Sequence, residues 1–188
     1  MIRVCLLALM ALLALVLVAK NLPGRAPEET TLVAQNDENG SDFARYEGVW
    51  KGSFNIHLPD GELDSTVVVE QTYTTVSSTE QSVLITDRHT DGRVEVSRGR
   101  NVERDGSLTC EVWSEDGALK KVFTGHRSGR AIFWHRVDAA HAIEETFREE
   151  IIRTPEGDLY TIDGAGTYGG AGGKMLIYSG RYRRVDQD

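Results

Sequence analysis

At 188 residues the chain is long enough for one domain with a real core, and too short for two ordinary ones once its first segment is set aside. Its formal charge is −8, and the body without Arg3 of that segment stands at about −9, a balance that disfavours nucleic acid and anionic membrane surfaces as partners. Of two cysteines only Cys110 lies in the body, so no internal disulfide is expected to brace the fold.

Arg3 is followed by an unbroken apolar run from Val4 to Ala19, the pattern of a charged start and hydrophobic stretch of an export signal. The run is a little short of the ~20 apolar residues that span a bilayer comfortably, so two fates stay open for residues 1–19. They are a signal peptide cut after Ala19, with Leu17 at the minus-three position, or a retained membrane anchor. Either places the protein in an exported compartment, periplasmic or extracellular, and the membrane is met only through this segment. Cys5 precedes most of the run, which excludes a lipid-modified cysteine. Residues 20–42, rich in Pro, Gly and acidic or amide side chains, read as a flexible linker; Asn39-Gly40-Ser41 within it matches an N-glycosylation acceptor.

From residue 43 the chain reads as an all-β domain to residue 188. Turn signals recur as "PDGE", "TDGR", "RDGS", "EDGA" and "PEGD", and Asp-Gly supplies the positive backbone angles of tight hairpins. The segments between them are rich in Val, Thr, Ile, Tyr and Phe and show no helical period. Strands are expected near 47–57, 63–75, 80–88, 93–103, 107–114, 118–127, 130–138, 142–153, 158–168 and 174–185. Short connections throughout imply antiparallel neighbours. Such an up-and-down meander disposes of its edges most completely by closing into a barrel, here of about ten strands.

Two-residue turns at Asp105-Gly106, Asp116-Gly117 and Ser128-Gly129 set Arg100 opposite Glu111, Arg98 opposite Trp113, Cys110 opposite Phe123, and Phe123 opposite Trp134. One resulting face, with Leu108, Cys110, Val112, Leu119, Phe123, Ile132 and Trp134 and with Lys121 and Arg136 at its margins, reads as packing core. The other carries Arg98, Arg100, Glu111, Trp113, Val122, His126, Phe133 and His135. Two readings of that mixed face stay open. In one it lines a ligand cavity, with Arg98, Arg100, Trp113, His126, Phe133 and His135 as contact residues and the arginines meeting an anion. In the other it is the outer wall, Arg100 pairing with Glu111 and Arg98 stacking on Trp113.

Gly48-Val49-Trp50 at the first strand resembles the G-x-W opening of calycins, the superfamily of lipocalins, avidins and fatty-acid-binding proteins, and is similar to the openings of nitrobindin-like barrels. The resemblance implies that Trp50 is a structural plug at the closed end of the barrel, beneath a basic residue of the last strand, for which Arg181 and Arg183 are the candidates. It also implies a small apolar or amphipathic ligand held in the interior. No C-terminal helix follows the barrel, and no helices follow the first strand, which departs from lipocalins and fatty-acid-binding proteins respectively.

Little conventional chemistry is visible. The histidines at 57, 89, 126, 135 and 141 lack metal-ligand spacing, so no metal is expected. No cofactor is expected either, although resemblance to nitrobindin-like barrels would allow one histidine to ligate haem. "GAGTYG" at 164–169 satisfies G-x-G-x-x-G by accident, since it runs into another strand and not a helix. In "EETFREEIIR" Glu145 and Glu149 share a face with Phe147 and Ile151; ion pairs on a solvated strand are the default reading. No catalytic residue can be nominated. Three functions remain: an interior ligand-binding barrel, an enzyme using the same cavity, marked by acid–base groups inside the barrel, and a solid-cored interaction module.

Overall fold

The structure, a computed structural model, describes residues 42–170 and 172–185; the leader, nearly all of the linker and the Asn39 acceptor lie outside them. A 3-10 helix, Asp42–Tyr46, leads into ten antiparallel strands. They are β1 (Gly48–His57), β2 (Leu63–Ser77), β3 (Glu80–His89), β4 (Val94–Arg104), β5 (Ser107–Ser114), β6 (Leu119–Ser128), β7 (Ala131–Asp138), β8 (Ile143–Thr154), β9 (Gly157–Tyr168) and β10 (Lys174–Val185). Each pairs with its neighbour in sequence, and β1 pairs with β10 from Val49 opposite Val185 to His57 opposite Ile177. The result is a closed up-and-down barrel of ten antiparallel strands.

The hairpin chemistry acts where the sequence places it. Asp105 and Gly106 both take positive φ, 51° and 76°, as a two-residue turn matching the strand twist requires. Arg104, Arg100 and Arg98 accordingly face Ser107, Glu111 and Trp113, and Cys110 faces Phe123. Two details differ from expectation. The β6–β7 turn falls at Gly129-Arg130, so Trp134 lies opposite Gly125 and Phe123 is two residues away; an even slip leaves every side chain on its expected face. At Glu115–Gly117 the loop has three residues, and a bulge between Val112 and Trp113 absorbs the extra one. Leu119 thereby faces Trp113 and is exposed, not in the core.

The face carrying Leu108, Phe123, Ile132 and Trp134 points inward, and all four are buried. One end of the barrel is sealed. Trp50, fully buried, donates its indole Nε1 to the Tyr46 carbonyl at 2.8 Å, tying β1 to the 3-10 helix. The Arg184 guanidinium lies 4.4 Å from the Trp50 ring and donates to the carbonyls of Arg45, at 2.8 Å, and Glu47. The cation on the plug is therefore Arg184, in place of the expected Arg181 or Arg183. Arg181 bonds Asp163 at 2.8 Å and Arg183 bonds Thr154 at 2.9 Å. The reason is parity: Tyr178, Tyr182 and Arg184 alternate inward on β10, so odd-numbered neighbours must face out. Gln81 adds a bond from Nε2 to the Phe43 carbonyl at 2.8 Å, and Tyr46, Tyr73, Tyr160 and Tyr182 pack edge to face or tilted beneath.

Glycines in inward positions make room for the large rings beside them. A Cβ on Gly125 would sit 2.6 Å from the Trp134 ring, and one on Gly164 2.7 Å from Phe147. This explains Gly164 and Gly166 of "GAGTYG" as seats for aromatic side chains within β9.

Arg184→Met is expected to cost about 1–3 kcal/mol in urea denaturation, because it removes a cation over Trp50 and leaves two carbonyls to find new donors. Arg181→Met and Arg183→Met, made as controls, should stay within about 0.5 kcal/mol; equal losses for all three would contradict the assignment. Gly125→Ala should destabilise by roughly 1–3 kcal/mol through the clash with Trp134, and no loss in the same denaturation experiment would show that the ring yields.

Candidate functional site

Above the sealed end the barrel encloses a cavity of about 430 Å³. Its walls are apolar for most of their height: Phe54, Val69, Val83, Ile85, Phe123 and Ile162 come from five different strands, each placed inward by the two-residue period. The inward glycines do not open onto it: a Cβ on Gly99, Gly125, Gly164 or Gly166 would meet the side chain of Val83, Trp134, Phe147 or Tyr178 within 3 Å, so each seats a neighbour in the wall. The solid-barrel reading thus meets a hollow interior.

Polar groups occupy two levels. Toward the sealed end Gln71, Tyr73, Asn101, Cys110, Glu149 and Tyr182 reach the cavity. The Tyr73 hydroxyl donates to Gln71 at 3.2 Å and meets the Tyr160 hydroxyl at 3.1 Å. Burial raises the pKa of Tyr73, Tyr160 and Tyr182, so all three are neutral phenols at ordinary pH. Cys110 is also raised, by burial and then by Glu149 and Glu111, and is an unreactive thiol. Glu149 is moved up to about 7: burial drives the shift, and hydrogen bonding from Trp134 and Tyr160 only partly opposes it.

At the opposite, open end the wall becomes charged, with Asp87, His89, Glu95, Lys120 and Lys121. Glu145, 2% exposed, is held there by Arg136 at 2.8 Å, Lys121 at 3.6 Å and the Tyr168 hydroxyl at 2.5 Å. Burial raises its pKa, but Lys121, Tyr168 and Arg136 together bring it below the usual value. Asp87 goes the other way, raised by burial. Among the described residues no group of His, Cys, Asp and Glu side chains is arranged to hold a metal ion. Haem fits poorly: His89 alone of the five histidines lines the interior, and it sits at the charged rim beside Asp87 and Glu95, where an apolar porphyrin would have to be buried.

The residues proposed from sequence as ligand contacts lie on the outer wall. Arg98 and His135 are exposed, and Arg100 forks onto Glu80 with bonds of 2.8 and 3.0 Å, where Glu111 was the expected partner. Trp113 lies on the same outer face opposite Arg98. His126 stacks on Phe133 at 5.4 Å, and His135 bonds Glu144 at 3.1 Å; these three share a shallow outer groove with Arg148 and Asp163. The register leaves His126 and His135 two residues, roughly 7 Å, apart along the strands.

What sequence reasoning missed is the acidic strand β8. Glu145 and Glu149 face inward with Phe147 and Ile151, and neither lies on a solvated surface. The signal was present, since an apolar face cannot be buried without carrying its own acids inside.

No protein-family model matches this chain, and no curated protein sequence matches it. Solved structures do share its fold. The S-type phycobiliprotein lyase CPES from Guillardia theta is 13% identical, with 78% of this chain and 92% of that one covered and a TM-score of 0.59. Rv2717c from M. tuberculosis is 15% identical, with 74% and 92% covered and a TM-score of 0.50. At these identities the likeness is one of barrel architecture.

Proposed function

We propose that this chain is a binding protein that holds a small, largely apolar molecule non-covalently inside its barrel, in an exported compartment to which the apolar leader directs it. The observation that carries this reading is the cavity itself: about 430 Å³, walled by Val, Ile and Phe, with a few polar groups at its two ends. That combination of apolar walls and sparse convergent polar atoms is what ligand pockets generally show. Closing strands and sealing one end leave access from the charged rim only. Two or three rings or a medium alkyl chain would find continuous apolar contact down to the tyrosines.

One observation favours a second reading, an enzyme that uses the same cavity. Glu149, poised near neutrality inside the barrel and beside neutral phenols, has the properties of a general acid or base. The substrate it would act on is not specified by anything in the cavity, so binding stands as the main reading.

Native mass spectrometry of the exported protein before and after denaturation tests the binding reading; captured mass lost on denaturation supports it. A neutral environment-sensitive fluorophore such as N-phenyl-1-naphthylamine should brighten with the folded protein, and Val112→Trp, which fills part of the cavity, should weaken it by about tenfold or more. A bare protein whose fluorophore response is indifferent to Val112→Trp would refute it.

The protonation of Glu149 also governs stability. The folded state holds that proton more tightly than the unfolded chain, whose carboxyl titrates near the ordinary value of 4.5. Between roughly pH 4.5 and 7 the native state binds more protons, so stability contributed by neutral Glu149 falls as pH rises and levels off above 7. Glu149→Gln should gain relative to wild type from pH 5 to pH 8, by up to about 3 kcal/mol in urea denaturation. An identical difference at both pH values would show that Glu149 is not protonated in the barrel.

A further inference from the structure

The inference deepens the binding reading and rests on it. Three acids of the rim are paired with cations, Glu145 with Arg136 and Lys121, Glu95 with Lys120 at 3.7 Å and Arg93 at 3.6 Å, Asp138 with Arg136 at 2.9 Å, and Asp87 feels the charges of His89, Lys121 and Lys120 without a direct pair among the described residues. Glu149 differs. The groups that act on it are Trp134 from β7 and Tyr160 from β9, and it in turn acts on Tyr73 from β2, Cys110 from β5 and Tyr182 from β10. None of these is a cation, and among the described residues Glu149 makes no ion pair. A second acceptor lines the same cavity: Asn101, opposite Cys110, has a buried Oδ1 that accepts no hydrogen bond from the described residues.

The inner end of the cavity therefore offers a carboxyl and an amide oxygen without a donor of positive charge, set among aromatic rings. We propose that the barrel takes an apolar molecule whose inner end carries a basic nitrogen, bound as an ammonium on the Glu149 carboxylate with Asn101 Oδ1 as a further acceptor, and that it disfavours fatty acids of the same size. A buried acid left alone is costly, and a cation of matching geometry removes that cost while gaining charge-assisted hydrogen bonds and contact with the π faces of Trp134 and Tyr73. A carboxylate at the same depth would meet a like charge. At the rim it would find Lys120 and Lys121 already engaged by Glu95 and Glu145. Binding the ammonium converts Glu149 to its charged form, so near neutral pH a proton is released to solvent for part of the population.

The test is calorimetric titration of the whole protein with decylamine, decanol and decanoate, three ligands of one chain length, between pH 5.5 and 8.5. At pH 8 decylamine is expected to bind about tenfold or more tighter than decanol, and decanoate weaker than decanol. The advantage of the amine should shrink as pH falls below 7, where Glu149 keeps its proton. In Glu149→Gln the amine should drop to the level of the alcohol and lose its pH dependence, while decanol affinity changes by less than about threefold and so reports an intact cavity. Equal binding of amine and alcohol, or tightest binding of decanoate, overturns this inference and leaves the binding reading standing. If none of the three binds, the binding reading falls and the inference falls with it.

Discussion

Pairing of β1 with β10 is the contact on which the rest depends. Ten strands in a meander have two free edges, and nine consecutive hairpins do nothing to remove them; only the first and last strands can. Their approach is close enough that Gly52 is required, since a Cβ there would lie 2.8 Å from the Tyr182 Cα. Closure in turn gives the two-residue alternation its meaning. Before closure each strand has two equivalent faces, and afterwards one set of side chains is enclosed and shares a finite volume.

How that volume is divided explains the cavity. Large aromatics gather at one end, where Trp50, Tyr46, Tyr73, Tyr160 and Tyr182 interlock and Arg184 covers the indole. Elsewhere aromatic rings lie over glycines on adjacent strands, so two inward positions are spent on one side chain. The remaining space is not filled. Stability and hollowness thus come from separate regions: dense packing and buried hydrogen bonds below, and above them walls with room between.

Most of the architecture was legible because it is local. Asp-Gly turns and alternating β-branched residues mark strands without reference to anything distant, and the pairings of Arg98, Arg100 and Cys110 follow by counting from the turns. The β6–β7 count failed by two, harmlessly for the faces, because glycine at 129 serves either of two turn positions. Leu119 was misplaced since a bulge in β5–β6 leaves no mark on composition. Which face points inward is a property of the closed whole. The outer wall, bearing Trp113, Phe133 and two histidines, is apolar enough to pass for a cavity lining. The acids in β8 were judged by residue type, which favours solvent, although their positions relative to Phe147 and Ile151 place them inside. Arg184 was passed over within a run of basic residues, though parity with Tyr182 separates it from Arg181 and Arg183.

The three tryptophans sit in three different dielectric surroundings. Trp50 is sealed under a guanidinium, Trp113 is on the outer wall, and Trp134 lines the cavity. The protein's own emission is thus a superposition of three independent optical probes, one for the seal, one for bulk solvent and one for the interior. A change in Trp134 emission when the cavity fills would report occupancy without any label, while Trp50, covered by Arg184, would change its own surroundings only when the seal itself came apart.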